Sequence, residues 1–213
     1  KAEWKRYEKP FTIKSDKEIL AVAYGPEKES RAMSAAVTAW FHRIPHNWSV
    51  EIKGKYNSQY SAGGPDGLID GLRGDENWRK GNWQGYQAQD FECIIDLKEL
   101  KTIYACGASF LQDSRSWILL PTRVEVLTSV DGKNYTEFGF TDIVSDPLHE
   151  LVSANSYFHT QSLGVKAKYV KFKAKNFGKL PEGHAGYNMS GDAFIFVDEV
   201  FITVNKIKIK KEK

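Results

Sequence analysis

The residues with the clearest chemical potential fall in one stretch, Gly67-Leu68-Ile69-Asp70-Gly71-Leu72-Arg73-Gly74-Asp75-Glu76-Asn77-Trp78. Asp70 and Asp75 sit on a glycine-broken loop. Calcium takes about six to eight hard oxygens, and a tight loop can offer backbone carbonyls beside its carboxylates. On spacing alone two readings stay open, a calcium loop or an ordinary turn, because Asp and Gly are also what turns use. Asp198-Glu199, far downstream, reads by itself as two solvated charges.

The elements around this loop are strands. Asp90 to Leu97 alternates, placing Phe91, Cys93, Ile95 and Leu97 on one face. Arg123 to Thr128 repeats the habit and runs into Asp131-Gly132, a favoured hairpin turn. Lys168 to Ala174 sets basic residues against Val170, Phe172 and Ala174, and Phe194–Val197 and Val200–Val204 close the region. Helical periodicity is scarce, so the expected fold is an all-β sandwich or jelly roll. The first 50 residues read as a separate, smaller β unit, with strands at 19–24 and 36–41 around a charged loop at 26–31. Two or three strands alone make a marginal fold. The expectation is therefore a fragment of a longer chain, with a small β domain at 1–52, a main domain at 53–205 and a frayed basic tail at 206–213.

Composition narrows the function. The 213 residues include 6 Trp, 10 Tyr and 12 Phe, enough for a sizeable core. The net charge of +3 misleads, because the last eight residues hold five Lys against one Glu and leave the rest of the chain one negative. A nucleic-acid binder spreads Lys and Arg over a folded face, so that class is excluded. No apolar run is long enough to span a bilayer, and Lys1-Ala2-Glu3-Trp4 has no signal-peptide pattern. Cys93 and Cys106 match no metal motif; buried free thiols are expected, with a disulfide open if their strands are neighbours.

Several motifs now combine. Ser129-Val130-Asp131-Gly132-Lys133-Asn134-Tyr135, Ala167-Lys168-Tyr169-Val170-Lys171 and Asp198-Glu199-Val200 follow the 67–78 loop in order. Together they resemble discoidin (factor V/VIII type C) domains and family 32 carbohydrate-binding modules over roughly residues 55–204. The resemblance implies a galactose-binding-like jelly-roll β-sandwich with a structural calcium ion. Its ligands would be the Gly67 carbonyl, the Asp70 carboxylate, the Leu72 carbonyl, Asp75, the Asp198 carbonyl and the Glu199 carboxylate. The family often has Thr where Asp75 stands.

Trp83-Gln84-Gly85-Tyr86, Phe110 to Trp117 and Gly183-His184-Ala185-Gly186 look like the C-terminal module of Bacteroides-type family 20 β-hexosaminidases (chitobiase-like enzymes). The first 50 residues are similar to the small fibronectin-like domain of such enzymes. This implies a secreted, periplasmic or cell-surface bacterial protein, in which the chain is a monomeric, non-catalytic appendage of its own catalytic domain. Its partners would be galactose-type or N-acetylhexosamine-type glycans. A sugar site needs an aromatic face for the ring's C–H patch and planar polar groups for its hydroxyls. The candidates are Trp78, Arg79, Trp83 and Gln84, then Gln112, Asp113, Arg115 and Trp117, then His184 and Tyr187. Each Trp is equally a core filler, Trp117 above all, and His184 equally a loop histidine bonded to backbone.

Other readings fall away. Gly74-Asp75-Glu76 echoes the catalytic Asp-Glu pair of family 20 hydrolases, but Leu72 and Arg73 stand where that context needs His-x-Gly-Gly. A barrel for that chemistry needs about 250 residues, and adjacent carboxylates do not by themselves flank a glycosidic bond at a working separation. Arg73-Gly74-Asp75 is an integrin tripeptide at chance level, and three Asn-x-Ser/Thr sites mean nothing in a bacterial protein. The alternative is a discoidin-type adhesion module with bare apolar loop tips for lipid or protein, or a structural module packing on the catalytic domain.

Overall fold

The computed structural model describes residues 4–15, 17–25, 33–41, 46–189 and 191–204. The charged loop expected at 26–31 and the basic tail at 206–213 lie outside these residues. The chain divides into two compact units, Lys1–Pro45 and His46–Lys213. In the first, β1 (Lys17–Ala21) and β2 (Val37–Phe41) pair antiparallel, with Lys17 opposite Phe41. The expected boundary at 52/53 is displaced to 45/46. The reason is β3 (Ser49–Ile52), which pairs with the second unit's β5, Val50 opposite Ile95.

The second unit contains β4 (Gln84–Gln87), β5 (Phe91–Gln112), β6 (Arg123–Ser129), β7 (Thr136–Asp142), β8 (Ser153–Lys175) and β9 (Phe194–Thr203). All pairings between these strands are antiparallel, and the described residues contain no α-helix. None of them therefore forms a helix long and apolar enough to cross a membrane. Two strands organise the rest. β5 and β8 pair along nearly their whole length, with register shifts at Asp96/Lys101 and Ile103/Ala105. Such irregularities bend a strand and increase its twist, and Lys98, at φ 66°, sits in the first of them.

On one side of the bend, the first part of β5 and the last part of β8 join β3, β6 and β7. On the other side, the remainder of β5 and β8 joins β9 and β4. The main core takes side chains from both sides: Phe91, Cys93 and Ile95 with Val124, Val126, Val170 and Phe172, and Cys106, Ala108 and Phe110 with Tyr86, Ile195 and Val197. This is the all-β jelly-roll sandwich expected of a galactose-binding-like module. Cys93 and Cys106 lie on the same strand, not on neighbours, and both are buried free thiols. Burial pushes both thiols well above their ordinary range.

Two smaller apolar clusters support the loops. Trp83, Leu111, Ile118 and Phe196 form one, with Tyr60 and Trp78 packed on it. Leu119, Leu180 and Ala193 form the other, with Trp117 and Phe177.

Candidate functional site

The 67–75 loop meets β9 through its acidic residues. Asp70 Oδ1 accepts the Leu72 amide at 2.7 Å, an Asx turn that tightens the loop. Glu199 Oε2 accepts the Gly71 amide at 3.2 Å. Burial raises the Asp70 carboxyl, against the Leu72 hydrogen bond, with the Asp198 and Asp66 charges adding to the rise. Burial, helped by Asp70 and Asp198, pushes Glu199 up to about 8. Residues from opposite ends of the unit thus form a crowded carboxylate pair.

Asp198 has a different partner. Its Oδ2 accepts Arg73 Nε at 3.0 Å and the Gly74 amide at 2.8 Å, while its buried Oδ1 has no hydrogen-bond partner among the described residues. Arg73 continues to the Ser109 hydroxyl at 2.9 Å and the Ser156 hydroxyl at 3.2 Å, with its guanidinium 4.7 Å from the Phe201 ring centre.

Of the expected calcium ligands, Asp75 does not join the acidic pair. Its carboxylate holds Lys80 Nζ at 2.5 Å, and its carbonyl accepts the Trp83 indole N–H at 2.9 Å. Among the described residues no group of three or more His, Cys, Asp or Glu is arranged to hold a metal. Asp70 and Glu199 nevertheless fit a hard cation, being a half-buried and a buried carboxylate that burial raises, with neighbouring negative charge adding to the rise. Calcium would stabilise them with the rest of its oxygens drawn from backbone carbonyls and water.

The residues expected to grip sugar divide into supports and surface. Trp83 is 1% exposed, and a Cβ on Gly74 would come within 2.2 Å of its ring, so glycine is required where the indole lies on the loop. Gln84 is fully buried, donating to the Gly64 carbonyl at 2.5 Å and accepting the Tyr86 hydroxyl at 2.8 Å. Gln112 is buried and donates to the Asp146 carbonyl at 3.1 Å. These three are structural, correcting the expectation that they face a ligand. The sequence shows an aromatic and two amides but not which way they point.

Asp113 is a buried hub, not a free acceptor. Its Oδ2 takes the Trp78 indole N–H at 3.0 Å and the Ser116 hydroxyl at 2.7 Å. His184 accepts the Gly186 amide at Nδ1 (3.0 Å), so Nε2 carries the proton and donates to the Ser114 carbonyl at 2.9 Å. It is thus the backbone-bonded loop histidine, one of the two readings left open. Trp117 is half-buried, while Trp83 is the tryptophan that disappears into the core, the reverse of the expected ranking.

Four candidates remain at the surface. Trp78 is half-buried with the Arg79 guanidinium 4.1 Å over its ring, Arg115 is exposed and ion-paired with Glu150, and Tyr187 is 49% exposed. The loop at 146–151, for which the sequence offers no motif, completes the group. It supplies Glu150, the Asp146 carbonyl for Gln112 and the Pro147 carbonyl for Ser114. The result is a hydrogen-bonded set of four loops presenting a cation–aromatic stack, an ion pair and a tyrosine. Such groups bind hydroxyls and apolar ring faces.

No family model matches the chain, and no curated protein matches it. Solved structures are similar at a distance. The CBM32-1 module from a family 31 glycoside hydrolase of Clostridium perfringens is 20% identical, with a TM-score of 0.45 over 75% of this chain and 95% of that one. The family 32 module of C. perfringens NanJ, in complex with galactose, is 12% identical, with a TM-score of 0.43 over 73% and 92%. A fucolectin from striped bass (Morone saxatilis) serum is 13% identical, with a TM-score of 0.48 over 76% and 50%. Likenesses this distant decide nothing about the ligand, and the jelly-roll fold rests on the strand register above.

Proposed function

We propose that the 46–204 unit is a non-catalytic carbohydrate-binding module, the appendage of a secreted bacterial glycoside hydrolase of the chitobiase or β-N-acetylhexosaminidase kind. The supporting observation is the loop set that presents Arg79 stacked on Trp78, the Arg115–Glu150 pair and Tyr187 on a buried hydrogen-bonded base. It would hold the catalytic domain on galactose- or N-acetylhexosamine-terminated glycans, with the modest affinity of a shallow site. Asp70 and Glu199 would hold a structural calcium ion, clipping the early loop to β9. Localisation beyond the cytoplasm and a monomeric state belong to the same proposal.

The test is a glycan array in calcium buffer, comparing the wild-type chain with Arg79→Ala and Tyr187→Ala. Trp83→Ala is unsuitable because it empties the core. Galactose- or hexosamine-terminated hits that weaken about tenfold in either variant, the loss of one good contact, support the assignment. A silent array from a folded protein refutes it.

A second reading has its own observation. Val144 is fully exposed, and Leu151 and Met189 are 69% and 72% exposed, on loops beside the same surface. These are the bare apolar tips that an adhesion module would press into lipid or against a protein. Co-sedimentation with phosphatidylserine vesicles, lost in Leu151→Ser, would favour that reading; no sedimentation and a silent array leave the structural appendage.

A further inference from the structure

The larger of the two clefts described lies away from the loop set. It has a volume of about 380 Å³ and opens on the outward face of the β3–β5–β8–β6–β7 side of the sandwich. Cavities that hold small molecules start at about 300 Å³. Alternation creates this face: Cys93, Ile95 and Val170 turn into the core, which sends Ile94, Asp96 and Tyr169 outward. Tyr135, just after the hairpin turn, joins them, and Glu51 of β3 forms the opposite wall.

The mouth is kept open by the turn. Asp131 is locked inward on its own loop, accepting the Lys133 and Asn134 amides, each at 2.8 Å. Gly132, at φ 75°, lies against Tyr169 so closely that a Cβ would sit 3.2 Å from the ring. A side chain there would be strained and would crowd the tyrosine.

The chemistry of the lining selects a ligand class. Glu51 pairs with Lys53, Asp96 with Lys98 at 3.1 Å, and Lys171 with Glu92 at 3.4 Å. Lys171 Nζ also lies 4.3 Å from the Tyr135 ring centre, capping it. An ionic ligand would have to compete with these pairs. Neither the Tyr135 nor the Tyr169 hydroxyl makes a hydrogen bond among the described residues, and both rings are half-buried. Burial raises the Tyr135 phenol, with the Glu51 charge and Tyr169 adding to the rise, and Glu51 lines the same cleft. Two uncommitted phenols, carboxylates with spare lone pairs and an apolar floor of Ile94 and ring edges match a neutral ring carrying hydroxyls.

We propose that this cleft is a second, sheet-face binding site for a neutral sugar ring. It is independent of the loop set and does not rest on that set being a sugar site. Tyr135 and Tyr169 supply apolar ring carbon and uncommitted hydroxyls, Glu51 accepts from the ligand's hydroxyls, and Lys133 and Asp131 border the entrance. A chain with two separated sites would gain avidity on a polymeric glycan without a second module.

The test is two-dimensional amide NMR on the whole 15N-labelled chain, titrated separately with methyl β-galactoside, N-acetylglucosamine and glucuronate to millimolar concentrations. Saturable shifts at Gly132, Lys133 and Tyr135 are expected with at least one neutral sugar. They should weaken about tenfold in Glu51→Gln, which exchanges a charged acceptor for a neutral one. Glu51 is solvent-exposed, so that variant keeps its fold. The double variant Arg79→Ala/Tyr187→Ala should leave these shifts intact. Shifts confined to 78–80, 113–117 and 184–187 would overturn the cleft while preserving the loop site. No shift at the cleft with either neutral sugar, tighter binding of glucuronate there, or an unchanged affinity in Glu51→Gln would each overturn it as well.

Discussion

Replacing Arg73 with Ala isolates the electrostatic lock between the early loop and β9. Asp198 has a fully buried side chain, whereas Arg73 remains 45% exposed. Removing one partner of a buried pair costs about 3–5 kcal/mol, because the other charge is left without compensation. Here water can enter through the vacated arginine position, so screening reduces the expected loss to about 2–3 kcal/mol. The loss should depend on pH in a definite direction. Burial already raises the Asp198 carboxyl, and Arg73 is the chief group pulling it back. A carboxyl raised in the folded state favours folding at low pH and loses that contribution as pH rises through its folded value. Without Arg73 the carboxyl rises further, so Arg73→Ala should be nearly harmless at about pH 4 and most damaging at about pH 7. Urea denaturation followed by tryptophan fluorescence at both pH values measures this. Arg73→Ala/Asp198→Asn should recover most of the neutral-pH loss, since the amide oxygen still accepts the Gly74 N–H. An equal loss at both pH values, or a double variant no more stable than the single, would refute the reasoning.

Trp83→Ala should cost about 4 kcal/mol through its cavity and the lost bond to the Asp75 carbonyl, read as a lower urea midpoint. In chelator, stability should fall as pH rises from about 5 to about 8, because Glu199 is raised to about 8 and must give up its proton. Calcium should flatten that slope and raise the melting temperature, and Glu199→Gln should remove both effects; a melting temperature indifferent to calcium would sink the clip. Cys93 and Cys106, buried with raised thiols, should resist thiol reagents in native buffer and both react in denaturant, as counted by mass spectrometry.

Where one strand face is buried and the other is not, alternation alone located the element. Phe91 to Leu97, Arg123 to Thr128 and Lys168 to Ala174 are of that kind. The pattern fades at Ala105–Gln112, which is buried on both faces, and at Ser153–His159, whose alternation uses Tyr and Phe among polar residues. Neither stretch therefore carries a clear alternation, although they continue β5 and β8. That the Asp70 loop would meet Glu199 was legible only through the family resemblance, because nothing local in either stretch points to the other. The partner of Asp75 was not legible, since its choice of Lys80 depends on the turn at Trp78–Lys80. The sugar candidates were legible as residue types only: Trp83 and Trp78 occupy similar local sequence, and tertiary packing alone decides which is buried. The sheet-face cleft left no local signature, for its lining comes from three separate strands and a turn.

The pairing of β5 with β8 also sets a timetable for biogenesis. Every residue of β5 that pairs with β8 finds its partner about 40 to 80 residues later in the chain. At about 5–20 residues per second of synthesis, β5 waits several seconds for its neighbour. During that wait Phe91, Ile95, Phe110 and Leu111 form a long, β-prone apolar segment with open edges, the kind of segment that sticks to copies of itself. Non-local sheets of this sort also fold slowly once complete. Yield of the folded protein should therefore depend on holdase chaperones and low expression temperature more than its final stability would suggest.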